Sequence, residues 1–159
     1  MGLEKRSLPM IEWLTTLAEN EVLVAGIVFA ATAMLIALWM PGVLLPIAAS
    51  SGAVMNAWIA AGVVSLGALV GSLVIFATTR RIAKDRVPAR IAAYLERFES
   101  RLQSRGAWMV LGLRLVGTPH FLVSSASALT PMRASSFSLA TLAGTMPAIL
   151  MAALAGSAV

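Results

Sequence analysis

Arg114 is the residue in this sequence whose chemistry is hardest to satisfy locally, because it lies in the long apolar stretch that follows Arg105. An arginine at the centre of a bilayer costs about 2.5–3.5 kcal/mol on insertion scales, so it should face a cavity, backbone carbonyls or an anion. No Asp or Glu lies in any apolar segment. The forked guanidinium suits phosphate oxygens, and a lipid phosphate would supply the missing charge. The alternative is that Arg114, nine residues beyond Arg105, extends its long side chain to the headgroups.

His120 is the single histidine and lies six residues after Arg114, beside Pro119. An imidazole can change its charge near neutral pH, so His120 could respond to pH, or it could remain neutral and bond a loop carbonyl. Ser124 and Ser125 follow on the same stretch. Together with Arg114 and His120 they form the predicted lipid-phosphate site, although serines equally permit close helix packing.

The composition indicates that these residues sit in an integral membrane protein. Of 159 residues, 59% are hydrophobic and 12% are charged, with a net charge of +5, and the mean hydropathy is +0.88. A chain this short cannot bury so much apolar surface within itself, so the excess should face lipid. The absence of cysteine excludes a disulfide scaffold. With one histidine and no carboxylate in the apolar segments, neither a metal site nor an acid–base pair can be assembled there, so we expect no enzyme and no cofactor.

The elements that must position Arg114 can be read from the apolar runs. A spanning helix needs about 20 apolar residues, and the predicted spans are 22–40, 58–79 and 134–156. Two apolar stretches contain helix breakers and are predicted as re-entrant hairpins. These are 41–57, which contains Pro41, Gly42 and Pro46, and 107–130, which contains Gly117 and Pro119. Three tight spans in the first half are the alternative to the first hairpin.

The two halves repeat one order of elements. Sliding the first hairpin forward by 76 positions lays Pro41 on Gly117 and Ser51 on Ser127, and a break, a small-residue run and a span follow in both halves. If the ends of each hairpin stay on one side, the two hairpins enter from opposite faces, which is typical of an inverted repeat with its site at the repeat interface. We therefore expect an all-α polytopic membrane protein with a single membrane domain, 22–159.

Residues 80–105 carry eight basic and three acidic side chains, a balance equal to the net charge of the whole chain. The positive-inside rule places this segment in the cytoplasm. Its apolar residues recur at helical spacing, which predicts an amphipathic helix on the membrane surface that favours anionic lipid. A topology signal without a lipid role explains the same charges, and it makes nucleic-acid binding unnecessary. Residues 1–21 are predicted as a second interfacial segment, with a frayed terminus as the alternative.

A set of residues over about 38–150 occurs at a characteristic joint spacing: Pro41-Gly42, Ser50-Ser51-Gly52, Gly67, Gly71, Phe76, Arg80, Arg114, Met132, Phe137 and Gly144. This pattern resembles the DedA family, also called the VTT or SNARE-associated Golgi protein superfamily. The resemblance implies a bacterial inner-membrane protein and proton-dependent lipid transport through paired acidic and arginine residues. Gly67 and Gly71 also have the small-xxx-small spacing of packed membrane helices, and Gly144 is assigned to helix packing with them.

The sequence departs from that family pattern at its charged positions. Val43 and Ser72 stand where the family has acidic residues, Gly117 replaces a proline, and His120 replaces the second arginine. Histidine could keep part of the positive charge. The main hypothesis is therefore a lipid flippase or scramblase for a phosphate headgroup, with undecaprenyl phosphate or a phospholipid as cargo by resemblance. There are two alternatives. One is a proton-coupled solute or ion transporter, and the other is a non-transporting scaffold that forms a homo-oligomer through contacts at Gly67 and Gly71.

Overall fold

The computed structural model describes residues 20–86 and 105–158, without the side chains of 84–86. Within those ranges all regular structure is helical. The helices are α1 (Glu21–Ala37), α2 (Leu44–Val54), α3 (Ala57–Arg86), α4 (105–115), α5 (His120–Ala128) and α6 (Ala134–Ser157). The predicted interfacial segment 1–21 lies almost wholly outside the described residues. So does the part of the basic segment from 87 to 104.

In the part of the chain that the structure describes, two helices are long and apolar enough to cross a membrane, namely α6 and the part of α3 over Ala57–Ala83. The predicted third span at 22–40 is not confirmed, because α1 has 17 residues and its length of about 26 Å is below the ~30 Å of a hydrocarbon core. It ends where the chain leaves the helical region, with left-handed φ values of 64° at Trp39 and 80° at Gly42. Large apolar side chains remain exposed on these helices, as expected of a surface that faces lipid.

The predicted breaks occur, with one correction. Pro41 and Gly42 lie in the first break, between α1 and α2. Pro46 does not, because it lies in the first turn of α2, where a backbone N–H has no partner within the helix and proline is tolerated. Gly117, with φ of 83°, and Pro119 separate α4 from α5. The stretch predicted as 107–130 is therefore two short helices joined at residues 116–119.

Each half of the chain contains one helix, one short helix and one long helix, with breaks between them. The short helix of each half packs on the long helix of the other half, α2 on α6 and α5 on α3. The α2–α6 contact depends on two glycines, because a Cβ at Gly52 would overlap the carbonyl of Ala153, and one at Gly156 that of Ala49. This exchange joins the halves into one body.

The direction of each helix follows from its neighbours on α3. Gly67 lies against Phe29 and Thr32 of α1, and Gly71 lies against Ala33 and Ile36, so α1 runs parallel to α3. Both glycines thus pack within the chain. After α1 the chain reverses direction, and α2 leads it back to the start of α3. The helices α1 and α2 therefore form a hairpin, and the break between them lies past the level of Gly71 on α3, towards the C-terminal end of α3.

The second hairpin, formed by α4 and α5, approaches the middle of α3 from the opposite end to the first hairpin. Ser72 contacts His120 at the start of α5, and Arg80 contacts Thr130 after its end. The helix α5 therefore runs parallel to α3, from its middle towards its basic end. The break between α4 and α5 precedes His120 and lies near Ser72, at mid-length of α3. The two breaks thus face each other near the middle of the molecule, from opposite ends.

Arg80 explains why α3 continues beyond the predicted boundary at 79. Its Nη2 donates a hydrogen bond of 2.7 Å to the carbonyl of Thr130, and its guanidinium lies 4.9 Å from the ring centroid of Phe76. Phe76 stacks on Phe137 of α6 at 4.7 Å. This cluster anchors the connection between α5 and α6, residues 129–133, against α3 and α6.

Candidate functional site

Arg114 lies in the last turn of α4 and is 3% exposed. Its Nη2 donates to the hydroxyls of Ser124 on α5 at 3.0 Å and of Ser72 on α3 at 3.3 Å. Three elements therefore meet at one guanidinium. The alternative in which Arg114 extends to the headgroups does not fit, because the side chain is buried and bonded within the protein.

The rest of this guanidinium has no hydrogen-bond partner among residues 20–86 and 105–158, where its Nε and Nη1 are buried. A buried donor without a partner costs roughly 1–3 kcal/mol, and more when the group is charged. Neither Asp nor Glu occurs between Val22 and Lys84 or beyond Arg105, so no carboxylate of those segments can neutralise the charge. The unused N–H groups are donors suited to an anion.

His120 extends the polar network from Arg114. Its Nδ1 lies 3.0 Å from the hydroxyl oxygen of Ser72, the same oxygen that accepts from Arg114. That hydroxyl has one hydrogen and two lone pairs, so it can accept from the guanidinium and also bond Nδ1, as donor to one imidazole tautomer or as acceptor from the other. One hydrogen-bonded chain therefore crosses α3, α4 and α5, and it runs through Ser124, Arg114, Ser72 and His120.

A cavity of about 170 Å³ adjoins this network where the two breaks face each other. It is lined by residues of both breaks and by the middle of α6: Pro41, Gly42, Arg114, Gly117, Thr118, Pro119, His120 and Thr145, with apolar neighbours. The helix breakers and the two basic residues predicted from sequence therefore meet at one place. A polar site between two broken helices is the arrangement in which irregular backbone is tolerated at membrane depth.

The two serines of the predicted lipid-phosphate site, Ser124 and Ser125, lie in different places in the structure. Ser124 is fully buried and bonded to Arg114. Ser125 lies on another side of α5 and lines a separate groove with Trp39 and Thr78, so it is not part of the Arg114 network. Ser72 and Thr145 were missed. The only signal for Ser72 was its place at a family acidic position, because a serine in a long apolar helix is otherwise unremarkable.

Gly144 sets the distance between α6 and Arg114. A Cβ there would lie 2.5 Å from the Cβ of Arg114 and 2.9 Å from the carbonyl oxygen of Leu111. Both distances are shorter than atoms tolerate, so α4 would have to move away from α6. Gly144 therefore acts as a positioning residue for the guanidinium.

We expect Gly144→Ala to reduce any activity that depends on Arg114 by about tenfold, since an ångström-scale displacement of a binding group is enough for a loss of that order. Activity of the purified variant in vesicles, compared at matched protein content, measures this. Gly112→Ala on α4 is the control, because a Cβ there meets nothing within 4 Å. Equal activity of the two variants would show that the approach of α6 does not position Arg114.

Comparison with known families agrees with the architecture. The family model of the VTT domain matches residues 40–158, which includes both breaks, Arg114 and His120. This chain belongs to the VTT domain family. No curated protein and no solved structure matches it. The VTT domain family is membrane-associated, and with two apolar helices of spanning length the protein is a membrane protein.

The family positions that differ in this VTT domain come together in the structure. Ser72 occupies an expected acidic position and His120 an expected arginine position, and the two are hydrogen-bonded to each other beside Arg114. A carboxylate at 72 would have neutralised Arg114. With serine at 72, no carboxylate of the described residues contacts Arg114. Met132 and Phe137, at two further family positions, are buried in the apolar cluster around Phe76.

Proposed function

We propose that this VTT domain protein is a lipid translocase, a flippase or scramblase, that binds the phosphate of a lipid headgroup through Arg114. One observation carries the proposal: a buried guanidinium has two donors without partners beside a cavity between two broken helices. Neither nitrogen is exposed to the cavity, so binding requires the packing around Arg114 to open; an anion with several acceptor oxygens would then satisfy both donors and the charge. Phosphate matches the planar fork of arginine especially well.

The proposed membrane arrangement follows from the helix directions. In it α3 and α6 cross the bilayer, while the α1–α2 and α4–α5 hairpins enter from opposite faces and meet at mid-depth. The basic end of α3, with Arg80 and Arg81, would then lie on the cytoplasmic side of a bacterial inner membrane. In this arrangement the site would lie near the bilayer midplane, through which a headgroup must pass in order to change leaflets.

The cavity also favours a small headgroup over a whole lipid. Its volume of about 170 Å³ is below the ~300–1,000 Å³ of pockets that enclose drug-sized ligands. Besides Arg114, it offers the hydroxyls of Thr118 and Thr145, and His120 lies at its wall. Undecaprenyl phosphate and simple anionic phospholipids meet this requirement. We propose no catalytic step, because transport of this kind makes and breaks no covalent bond.

The two alternative functions differ in what they require from the same residues. A proton-coupled solute transporter would depend on His120, and its test is a pH-dependent flux that is lost in His120→Gln. An oligomeric scaffold was expected to use Gly67 and Gly71 as its contact face. Both glycines already pack against α1 of the same chain, which argues against that version.

Reconstitution tests the proposal directly. Purified protein in phosphatidylcholine vesicles should accelerate the movement of fluorescent phosphatidic acid and of a fluorescent polyprenyl phosphate between leaflets at least tenfold over protein-free vesicles. A neutral glycolipid with the same label is the matched probe, and we expect it to move much more slowly. If anionic lipids move no faster than in protein-free vesicles, the proposal is wrong. If all three lipids move equally fast, phosphate recognition is wrong.

A further inference from the structure

A second and larger cavity lies next to the Arg114 site and differs from it chemically. It is a groove of about 530 Å³ between the end of α1, the second half of α3 and α5. Its lining includes Val74, Ile82 and Leu129 with the hydroxyl-bearing Thr78 and Ser125, and none of the described residues that line it is charged. Val74, Ile82 and Leu129 are each at least 46% exposed, so the groove opens on an apolar surface. In a membrane protein that surface faces lipid chains.

A pair of stacked aromatic rings lies near the boundary between the groove and the Arg114 cavity. Trp39 stacks on Phe121 with ring centroids 5.7 Å apart and an interplanar angle of 16°. Trp39 lines the groove, and the next residue, Met40, lines the cavity. Phe121 directly follows His120, which also lines the cavity. The stack is therefore adjacent in sequence to residues that line the cavity, and one of its rings lines the groove.

The left-handed backbone at Trp39 belongs to the C-terminal cap of α1. Its φ is 64°, its N–H donates to the carbonyl of Ile36 at 3.1 Å, and the N–H of Met40 donates to the carbonyl of Leu35 at 3.2 Å. These two bonds form the Schellman motif, in which a helix commonly ends at a left-handed residue. The cap fixes the backbone that carries Trp39 beside the groove.

The position of the groove matches the path of a lipid chain. The Arg114 cavity lies at mid-length of α3, and the groove extends from there towards Ile82 and Ala83 at the basic end. A lipid whose headgroup is at mid-depth still has its chains in one leaflet. For a lipid entering from the basic side, the chain would lie along this half of α3. The groove volume is of the size that encloses a ligand rather than a solvent molecule.

We propose that this groove is a hydrocarbon-chain subsite for the same anionic lipid whose phosphate binds Arg114, with Trp39 and Phe121 near the boundary between the two parts of the ligand. The inference rests on the proposed function. Because the bilayer is as apolar as the groove, the subsite gains little hydrophobic energy from chain binding. Its effect is to orient the chain, so that the headgroup attached to it is directed towards the cavity.

Photolabelling of the intact protein in phosphatidylcholine vesicles tests this proposal. The probe is a phosphatidic acid with a diazirine in the middle of one chain, and the labelled residues are mapped by mass spectrometry. We expect labelling around Val74–Ala83 and Ser125–Leu129 at least fivefold above that around Leu139 and Met151, two exposed apolar residues of α6. The corresponding diacylglycerol, which lacks the phosphate, should label both surfaces equally.

Substitutions separate the groove from the surrounding lipid surface. Thr78→Leu narrows the groove and should reduce its labelling about fivefold, and Ala83→Leu repeats the test from a second position. Ser138→Leu is the matched control, since the hydroxyls of Thr78 and Ser138 each donate to a carbonyl of their own helix. Trp39→Ala should extend the labelling to Met40 in the cavity.

The two proposals fail in different ways. If diacylglycerol labels the groove as strongly as phosphatidic acid does, or if Arg114→Gln leaves groove labelling unchanged, the chain subsite is wrong. The proposed function would survive that result provided that translocation still requires Arg114. If translocation of phosphatidic acid is absent in the wild-type protein, the proposed function is wrong regardless of the labelling pattern.

Discussion

Replacing Arg114 with glutamine should lower the translocation of phosphatidic acid at least tenfold while the helical fold is retained. Glutamine can still reach Ser72 or Ser124 with one amide, but it removes the charge and the two unpartnered donors. A tenfold loss corresponds to about 1.4 kcal/mol of lost stabilisation in the rate-determining state. Charge-assisted hydrogen bonds each contribute more than that value, so we expect the loss of translocation to exceed tenfold.

The same substitution should leave the thermal midpoint of the purified protein unchanged or raise it. A structural arginine, fully bonded, would destabilise the protein when removed. Arg114 instead keeps an uncompensated charge and two unsatisfied donors in a buried position, so its removal relieves a cost. Residues kept for function often have this signature of lower stability. Circular dichroism and a melting curve in detergent measure it beside the vesicle assay.

Two further arginine variants make the interpretation specific. Arg114→Lys keeps the charge and loses the planar fork, so we expect intermediate activity. Arg133→Gln is the charge-matched control, because Arg133 is exposed at the start of α6, and its activity should stay within twofold of the wild type. Full activity in Arg114→Gln, or an equal loss in Arg133→Gln, would contradict the assignment of phosphate binding to Arg114.

The largest loss of stability should come from Gly52→Ala or Gly156→Ala. At each position the added Cβ would overlap a backbone carbonyl, of Ala153 for Gly52 and of Ala49 for Gly156. Backbone cannot turn away as a flexible side chain can, so α2 and α6 must separate. Overpacking of a tight core costs about 1–3 kcal/mol, and here we expect the top of that range or more. The measurement is the unfolding midpoint in detergent, with monodispersity as a second readout.

Gly62→Ala on α3 is the matched control for this prediction. A Cβ at Gly62 meets nothing within 4 Å, so the variant should gain up to ~1 kcal/mol from the higher helix propensity of alanine. The same chemical change is thus expected to act in opposite directions at positions in contact and in open space. If Gly52→Ala melts at the temperature of Gly62→Ala, the close α2–α6 crossing does not exist in solution.

Much of the site followed from residue types alone. Arg114 stood out because no carboxylate accompanies it in the apolar segments, and Pro41, Gly42, Gly117 and Pro119 stood out as breakers. These are local properties, and local chemistry decides where a helix stops. Pro46 was misassigned because sequence alone does not distinguish a proline in a break from a proline in the first turn of a helix. The distinction depends on where the preceding helix ends, which sequence spacing leaves uncertain by a few residues.

The serines show what local reasoning could not reach. Ser124 and Ser125 are neighbours in sequence, yet only Ser124 bonds Arg114, while Ser125 lines the groove. Adjacent residues on a helix point about 100° apart, so their roles depend on the rotation of α5 against α3. Ser72 is 42 positions before Arg114, and its contact with it arises from the packing of two separate helices.

Composition and charge pattern by themselves determined that this is a helical membrane protein with breaks in both halves and an arginine that no acidic residue accompanies in the apolar segments. Those features depend on the transfer of side chains and backbone groups from water, which each residue type brings with it. Tertiary structure decided that the two breaks face each other, that each short helix crosses to the other half, and that Trp39 and Phe121 stack near the boundary between the groove and the cavity. These arrangements depend on glycine contacts and ring stacking between segments far apart in the chain, which arise only when the helices are packed together.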